Sequence, residues 1–289
     1  MLHTKSVMNN NPHMNYKHCV SFMMLILLVS IQSKAGPGLR SAPADTSAYF
    51  TSFDGVKIYY EVKGRGGGEP VLLIHGFIVN GETWKMTAVY TGLINAGYKV
   101  ITMDLRGNGK SDKPREDSSY ANDAEARDLM GLVSWLGIDR YNVVGYSRGS
   151  IITARLLVKD KRVSKAVMGG MGADFTDPNW PRRIRFYRAL SGDSVKELES
   201  MVNYVKKSGL DQQVLAWLQK EQPSTSKEEL GAVTQPVLVI CGDQDTDNGS
   251  ADQLVKLFKH GIRVSVPGDH GSASRSPEFS ARVISFFMH

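Results

Sequence analysis

The chain is expected to fold as an α/β protein, with a mostly parallel sheet carrying helices on both faces, and three observations predict this. First, from Val71 onward β-prone runs alternate with helical stretches, at 71–75, 84–96, 98–104, 122–136, 141–146, 149–159, 164–169, 236–241, 250–260, 262–266 and 277–288. Such alternation is the pattern of strand–helix–strand crossovers. Second, Val71-Leu72-Leu73-Ile74 is apolar throughout, as a strand buried on both faces must be. Third, the β-prone run Tyr141-Asn142-Val143-Val144 leads into Gly145-Tyr146-Ser147-Arg148-Gly149, and the helical stretch follows at once. One serine between two glycines at a strand-to-helix junction sits in strained backbone, its hydroxyl held clear of both elements. The glycines are needed because strand and helix close on each other there, leaving no room for a Cβ. Ahead of this alternation, strands at 48–53 and 56–63 flank Asp54-Gly55, a hairpin turn signal that adds an antiparallel edge.

The leading 35 residues read differently. Lys5 and Lys17 are positive, no acid precedes Asp45, and Val20 to Ile31 is an apolar block of twelve residues. Ser33-Lys34-Ala35 places small residues at minus three and minus one before Gly36. This is the pattern of a secretory signal peptide at 1–35, cleaved near Ala35, and it predicts a secreted or periplasmic protein. The block is short for a spanning helix, which needs about twenty residues, so membrane contact is expected only through an uncleaved leader. A Gly/Pro/Ala/Ser-rich linker follows at 36–47. Loss of Lys5, Lys17 and Lys34 with the leader lowers the formal charge from +6 to +3. That balance gives no electrostatic case for nucleic acid, and no basic run is interleaved with aromatics. Cys19 departs with the leader, leaving Cys241 as a small core residue in a buried strand with no disulfide partner.

Five segments now stand in a recognisable order: Val71-Leu72-Leu73-Ile74 followed by His75-Gly76-Phe77; Asp104-Leu105-Arg106-Gly107-Asn108-Gly109-Lys110-Ser111; Gly145-Tyr146-Ser147-Arg148-Gly149; Gly242-Asp243-Gln244-Asp245; and Pro267-Gly268-Asp269-His270-Gly271 before a last helix. Over residues 48–289 the chain resembles the α/β-hydrolase superfamily. The resemblance implies an eight-stranded, mostly parallel sheet, with a core at 48–173 and 231–289. It also implies a small helical cap at 174–230, where the alternation stops and strand signals are lacking. Ser147 would be the nucleophile, on the turn called a nucleophile elbow. The backbone N–H groups of Phe77 and Arg148 would form the oxyanion hole.

A serine hydroxyl cannot attack a carbonyl unaided. An imidazole must take its proton, and an acid must orient that imidazole. Beyond the leader the histidines are His75, His260, His270 and His289. The family's base sits where His270 does, between the last strand and the last helix. Its Gly-x-x-Asp pattern selects Asp245 as the acid, with Asp243 and Asp174 as alternatives. Phe77, Tyr146 and Trp180 are expected to line the substrate pocket. The Arg148 side chain is expected at the surface, paired to an acid, with contact to an anionic substrate group as the alternative. Asp104 and Arg106 are expected to organise the loop beside the nucleophile.

Serine in the elbow argues against the epoxide hydrolases and haloalkane dehalogenases of this fold, which use aspartate there. Gly64 to Gly68 lacks the Lys-Ser/Thr of a phosphate loop, and the His and Asp residues lack metal-ligand spacing, so neither cofactor nor metal is expected. The expected activity is hydrolysis of small apolar carboxylic esters through an acyl-enzyme. A C–C-bond hydrolase, a lactonase, a cofactor-free perhydrolase or a slow-turnover ligand-binding protein remain alternatives, because one fold hosts many chemistries.

Overall fold

A computed structural model describes residues 45–289; the expected leader and nearly all of the expected linker lie outside the described residues. Eight strands form one sheet: β1 (Thr46–Thr51), β2 (Lys57–Lys63), β3 (Val71–Ile74), β4 (Val100–Met103), β5 (Tyr141–Tyr146), β6 (Val163–Gly169), β7 (Val237–Gly242) and β8 (Gly261–Val266). Their spatial order is β1-β2-β4-β3-β5-β6-β7-β8. The pairs β1–β2 and β2–β4 are antiparallel and all others are parallel. Between them run α1 (Glu82–Lys85), α2 (Ala88–Asn95), α3 (Ala124–Trp135), α4 (Arg148–Lys159), α5 (Pro181–Ser191), α6 (Glu199–Lys207), α7 (Gln212–Lys220), α8 (Lys227–Gly231), α9 (Ala251–Val255) and α10 (Pro277–Met288).

Side chains alternate along a strand, so an all-apolar strand needs cover on both faces. In β3, Leu72 and Ile74 join one core with α3, α4 and α9, whereas Val71 and Leu73 join a second core with α2 and α10. A third, smaller core holds Leu190, Val205, Val214, Leu215 and Leu218 from α5, α6 and α7 around Tyr120, with Phe77 and Ile78 packed against it. The helices between β6 and β7 thus pack through their own apolar cluster onto the loop that leaves β3. Strand order reverses around β3: the chain steps outward to β4, then returns to place β5 on the other side of β3. In open α/β sheets the crevice beyond the carboxyl ends of strands at such a switch point is where ligands bind.

Several boundaries differ from the expected ones, each for a local reason. The stretch at 84–96 divides into α1 and α2, because Thr87 takes extended backbone and its side chain accepts from the Tyr90 N–H, starting a new helix. Helix 122–136 begins only at Ala124, since Asn122 and Asp123 both have positive φ. The stretch at 250–260 keeps helical form only over α9. Beyond it Leu257 and Phe258 donate three residues back, to Leu254 and Val255, and the turn tightens.

The loop after β4 is anchored by Arg106, which has no exposed surface. Its Nε and Nη2 donate to Asp128 of α3 at 2.7 and 2.6 Å, and its Nη1 donates to Asp54 of the hairpin turn at 2.8 Å. Burial opposes the cation, but Asp128 and Asp54 more than offset it and raise the Arg106 pKa above the ordinary value. Removing one member of a buried pair leaves the other charged and uncompensated, at a cost of about 3–5 kcal/mol. Arg106→Met is therefore expected to lower the thermal midpoint by roughly 10 °C in circular-dichroism melts. A shift under about 2 °C would show that the pair adds no net stability.

Candidate active site

Ser147 follows β5 directly and caps the start of α4, with φ 55° and ψ −123°, a conformation that side chains rarely adopt. The flanking glycines are explained by contact. A Cβ on Gly145 would lie 2.3 Å from the Gly149 carbonyl oxygen, and one on Gly149 would lie 2.2 Å from that of Ile74 in β3. The turn is pressed against β3 and the segment after it. A Cβ on Gly76 would already meet the Ser147 Cβ at 3.4 Å.

Ser147, His270 and Asp245, separated in sequence by up to 123 residues, meet here. The Ser147 hydroxyl is 2.9 Å from His270 Nε2, and His270 Nδ1 is 2.9 Å from Asp245 Oδ2. An ionised carboxylate only accepts, so this contact assigns the proton to Nδ1 and leaves Nε2 to accept from the serine. The Asp245 side chain is 3% exposed, and its Oδ1 accepts from the Asp247 N–H at 3.2 Å. Of the two other acids considered, Asp243 accepts from the Gly268 N–H at 3.0 Å and braces the loop. Asp174 packs beside Gly249.

The remaining residues singled out by sequence fall into two groups. Phe77 and Arg148 border the same cavity as Ser147. Arg148 is the first residue of α4, where a backbone N–H has no carbonyl one turn earlier to receive it. Trp180 and Phe77 line that cavity, with Phe77 set edge-on to Phe186 at 6.1 Å. Tyr146 does more than line a pocket: its hydroxyl donates to the His270 carbonyl oxygen at 2.7 Å, and its ring lies 5.4 Å from the imidazole. The Arg148 side chain is not at the surface. It is 4% exposed, forked onto Glu125 at 2.5 and 2.6 Å, and donates to the Leu218 carbonyl oxygen at 3.0 Å. Two donors aimed at two carboxylate oxygens absorb its charge, which leaves no free fork for a substrate anion.

Two cavities flank the serine. One, of about 40 Å3, is bordered by Phe77, Trp180, Arg182, Arg183, Phe186 and Asn248. The other, of about 200 Å3, is bordered by Trp84, Met86, Thr87, Tyr146, His270 and Arg275. Glu125, Arg182 and Asn248 carry no sequence signal, because their partners lie 23 to 78 residues away. Among the described residues, no group of His, Cys, Asp and Glu is arranged to hold a metal ion.

His75 stands behind the site. Its Nε2 accepts from the Leu105 N–H at 3.0 Å while Nδ1 faces the Gly76 carbonyl oxygen at 2.8 Å, a pairing that suits only the neutral ring with its proton on Nδ1. Burial disfavours the imidazolium and lowers its pKa. An unfolded histidine takes up its proton near pH 6.5, so on acidification below that value the unfolded chain gains a proton that the folded chain refuses. Stability present above about pH 6.5 is then lost as the pH falls. Urea unfolding at pH 7.5 and 5.5 should show a larger loss for the wild type than for His75→Gln; equal losses would refute this role.

The description "alpha/beta hydrolase fold" belongs to the family model that matches residues 69–190. The chain is 43% identical over 115 residues to a Synechocystis sp. protein bearing the provisional name non-heme chloroperoxidase, covering 39% of this chain and 40% of that one. It is 30% identical over 154 residues to a 2-hydroxy-6-oxononadienedioate/2-hydroxy-6-oxononatrienedioate hydrolase of Pseudomonas putida, covering 51% and 53%. The matches thus span about half of these relatives or less. The crystal structure of a bromoperoxidase from Bacillus anthracis superposes with a TM-score of 0.67 at 25% identity, covering 84% of this chain and all of that one. The sheet order, the strained serine turn and these likenesses agree: the chain has the α/β-hydrolase fold.

Proposed function

We propose that the chain is a serine hydrolase of carboxylic esters that works through an acyl-enzyme. The observation that carries this reading is the continuous relay from Ser147 Oγ through His270 to Asp245, with both contacts at 2.9 Å. Ser147 Oγ attacks the ester carbonyl as His270 Nε2 takes its proton. The negative charge that develops on the carbonyl oxygen is met by the N–H groups of Phe77 and Arg148, donors that need no reorganisation. Asp245 holds the imidazole in the accepting tautomer and stabilises the imidazolium. The tetrahedral adduct then collapses as His270 returns the proton to the departing alkoxide. A water activated by the same nitrogen hydrolyses the acyl-enzyme.

This sequence of events orients the substrate. The departing oxygen must lie within reach of His270, so the leaving group belongs in the cavity that His270 borders. The acyl group then occupies the other cavity, which Ser147 borders and His270 does not. Its 40 Å3 is only a few times the roughly 10–15 Å3 that one water needs on this measure, which favours short acyl chains. Catalytic efficiency on p-nitrophenyl esters is expected to be highest for acetate and butanoate and roughly ten-fold or more lower for octanoate, as pocket misfit of 1–3 kcal/mol implies. Ser147→Ala should lower turnover by about 10⁴-fold or more and abolish labelling by a fluorophosphonate probe. Undiminished turnover in that variant would remove the reading.

A second reading shares the acyl-enzyme and is favoured by the names of the relatives, a non-heme chloroperoxidase and a bromoperoxidase. Hydrogen peroxide would replace water as the attacking species, releasing a peracid and regenerating the serine. Peroxide-dependent bromination of monochlorodimedone in acetate buffer, lost in Ser147→Ala, would favour it.

A further inference from the structure

We infer that the acyl-side cavity selects acyl groups ending in a carboxylate, such as half-esters of short dicarboxylic acids, with Arg182 as the counter-ion. The inference rests on the acyl-enzyme reading above and names its substrate class. Twelve residues border the cavity, among them three arginines and no carboxylate. The charge of Arg148 is consumed by Glu125. Arg183 is spent on backbone, donating to the carbonyl oxygens of Pro178, Gln219 and Lys220.

Arg182 is different. Its Nε donates to Asn248 Oδ1 at 3.1 Å, and its guanidinium lies over the Phe186 ring at 4.5 Å. Among the described residues its terminal nitrogens make no hydrogen bond. Their nearest acid is Asp247, a half-exposed residue at 3.6 Å. Asn248 is itself buried and held by donating to the Gly170 carbonyl oxygen at 2.9 Å. The rotamer of Arg182 is thus set by a stacked ring and an anchored amide, while the end of its fork is left to a ligand. Such preorganisation lowers the entropy cost of binding.

The placement is costly for the fold. Arg182 and Arg183 sit in the first turn of α5, where the helix dipole favours anions, and no acid accompanies them. A carboxylate bound there would meet the guanidinium and the positive end of the helix together. Burial also pulls the Arg182 pKa down, and Asp247, its ion-pair partner at 3.6 Å, only partly offsets this. The cavity size suits a two- or three-carbon spacer between the scissile carbonyl and the carboxylate.

The test compares monoethyl succinate with its neutral isostere ethyl 4-methylpentanoate, and with 3-acetoxypropionate, which carries its carboxylate on the leaving side. The wild type should prefer monoethyl succinate over both in kcat/KM. That preference should fall about ten- to a hundred-fold in Arg182→Gln, as for loss of a charge-assisted hydrogen bond, and survive largely in Arg182→Lys. Asp247→Asn, which removes the competing acid, should strengthen it. Hydrolysis of neutral esters without this preference, or a preference unchanged in Arg182→Gln, overturns the inference while leaving the ester reading intact. If no ester is turned over and Ser147 resists fluorophosphonate, the ester reading fails instead. Succinate titration calorimetry on Ser147→Ala with and without Arg182→Gln then decides the anion site alone. Equal affinities, or no binding to either, overturn it.

Discussion

Backbone contact between the turn after β5 and the end of β3 is the constraint on which the site depends. Gly149 lets the Ser147 turn approach β3 until a methyl group would collide with the Ile74 carbonyl oxygen at 2.2 Å, and Gly145 lets β5 close on Gly149 of α4 in the same way. That closeness sets the positive φ of Ser147 and brings the His75-Gly76-Phe77 segment against it. Ser147 and the proposed donors Phe77 and Arg148 therefore follow neighbouring strands of one sheet, β5 and β3, at the point where strand order reverses. A flexible loop carrying the same residues would hold them less well, since catalytic geometry must be kept to about 0.5 Å.

Buried arginines then divide the work around this contact. Arg106 ties the hairpin turn and α3 to the loop after β4, and Arg148 ties α3 and α7 to the start of α4. Both are matched fork to carboxylate, which is what allows a guanidinium to remain inside a fold. Asp104 adds a neutral-donor version of the same bracing, accepting from the Gly81 and Lys110 N–H groups at 2.8 and 2.7 Å. Arg182 lacks such a fork-to-carboxylate match: its acid partner Asp247 lies at 3.6 Å, and it borders the smaller cavity beside Phe186 and Asn248.

The relay itself is held from several directions. Tyr146, one residue before the nucleophile, bonds the backbone of His270 and packs on Phe279 of α10. Asn248, three residues after Asp245, links the Asp245 loop both to Gly170, just after β6, and to α5 through Arg182. The loop that carries Asp245 is therefore joined to α5, which borders the smaller cavity.

Much of this was legible in the residues. Alternating patterns announced the α/β class, and the apolar run in β3 announced a strand covered on both sides, because periodicity and burial are local consequences of side-chain direction. The glycine pair around Ser147 announced a close approach, because only glycine tolerates one. Motif order points to His270 and Asp245, yet proximity between residues 147, 245 and 270 is a property of the assembled sheet. What the chain alone could not say was where long side chains end. Arg148 is expected at the surface and is buried on Glu125; Arg182, which the sequence does not single out, borders the cavity. Short-range pattern determines strands, turns and the nucleophile's strain, since these depend on neighbours a few residues away. Pairing of flexible charged side chains is settled only when distant elements pack, because several partners lie within reach of each and burial selects among them.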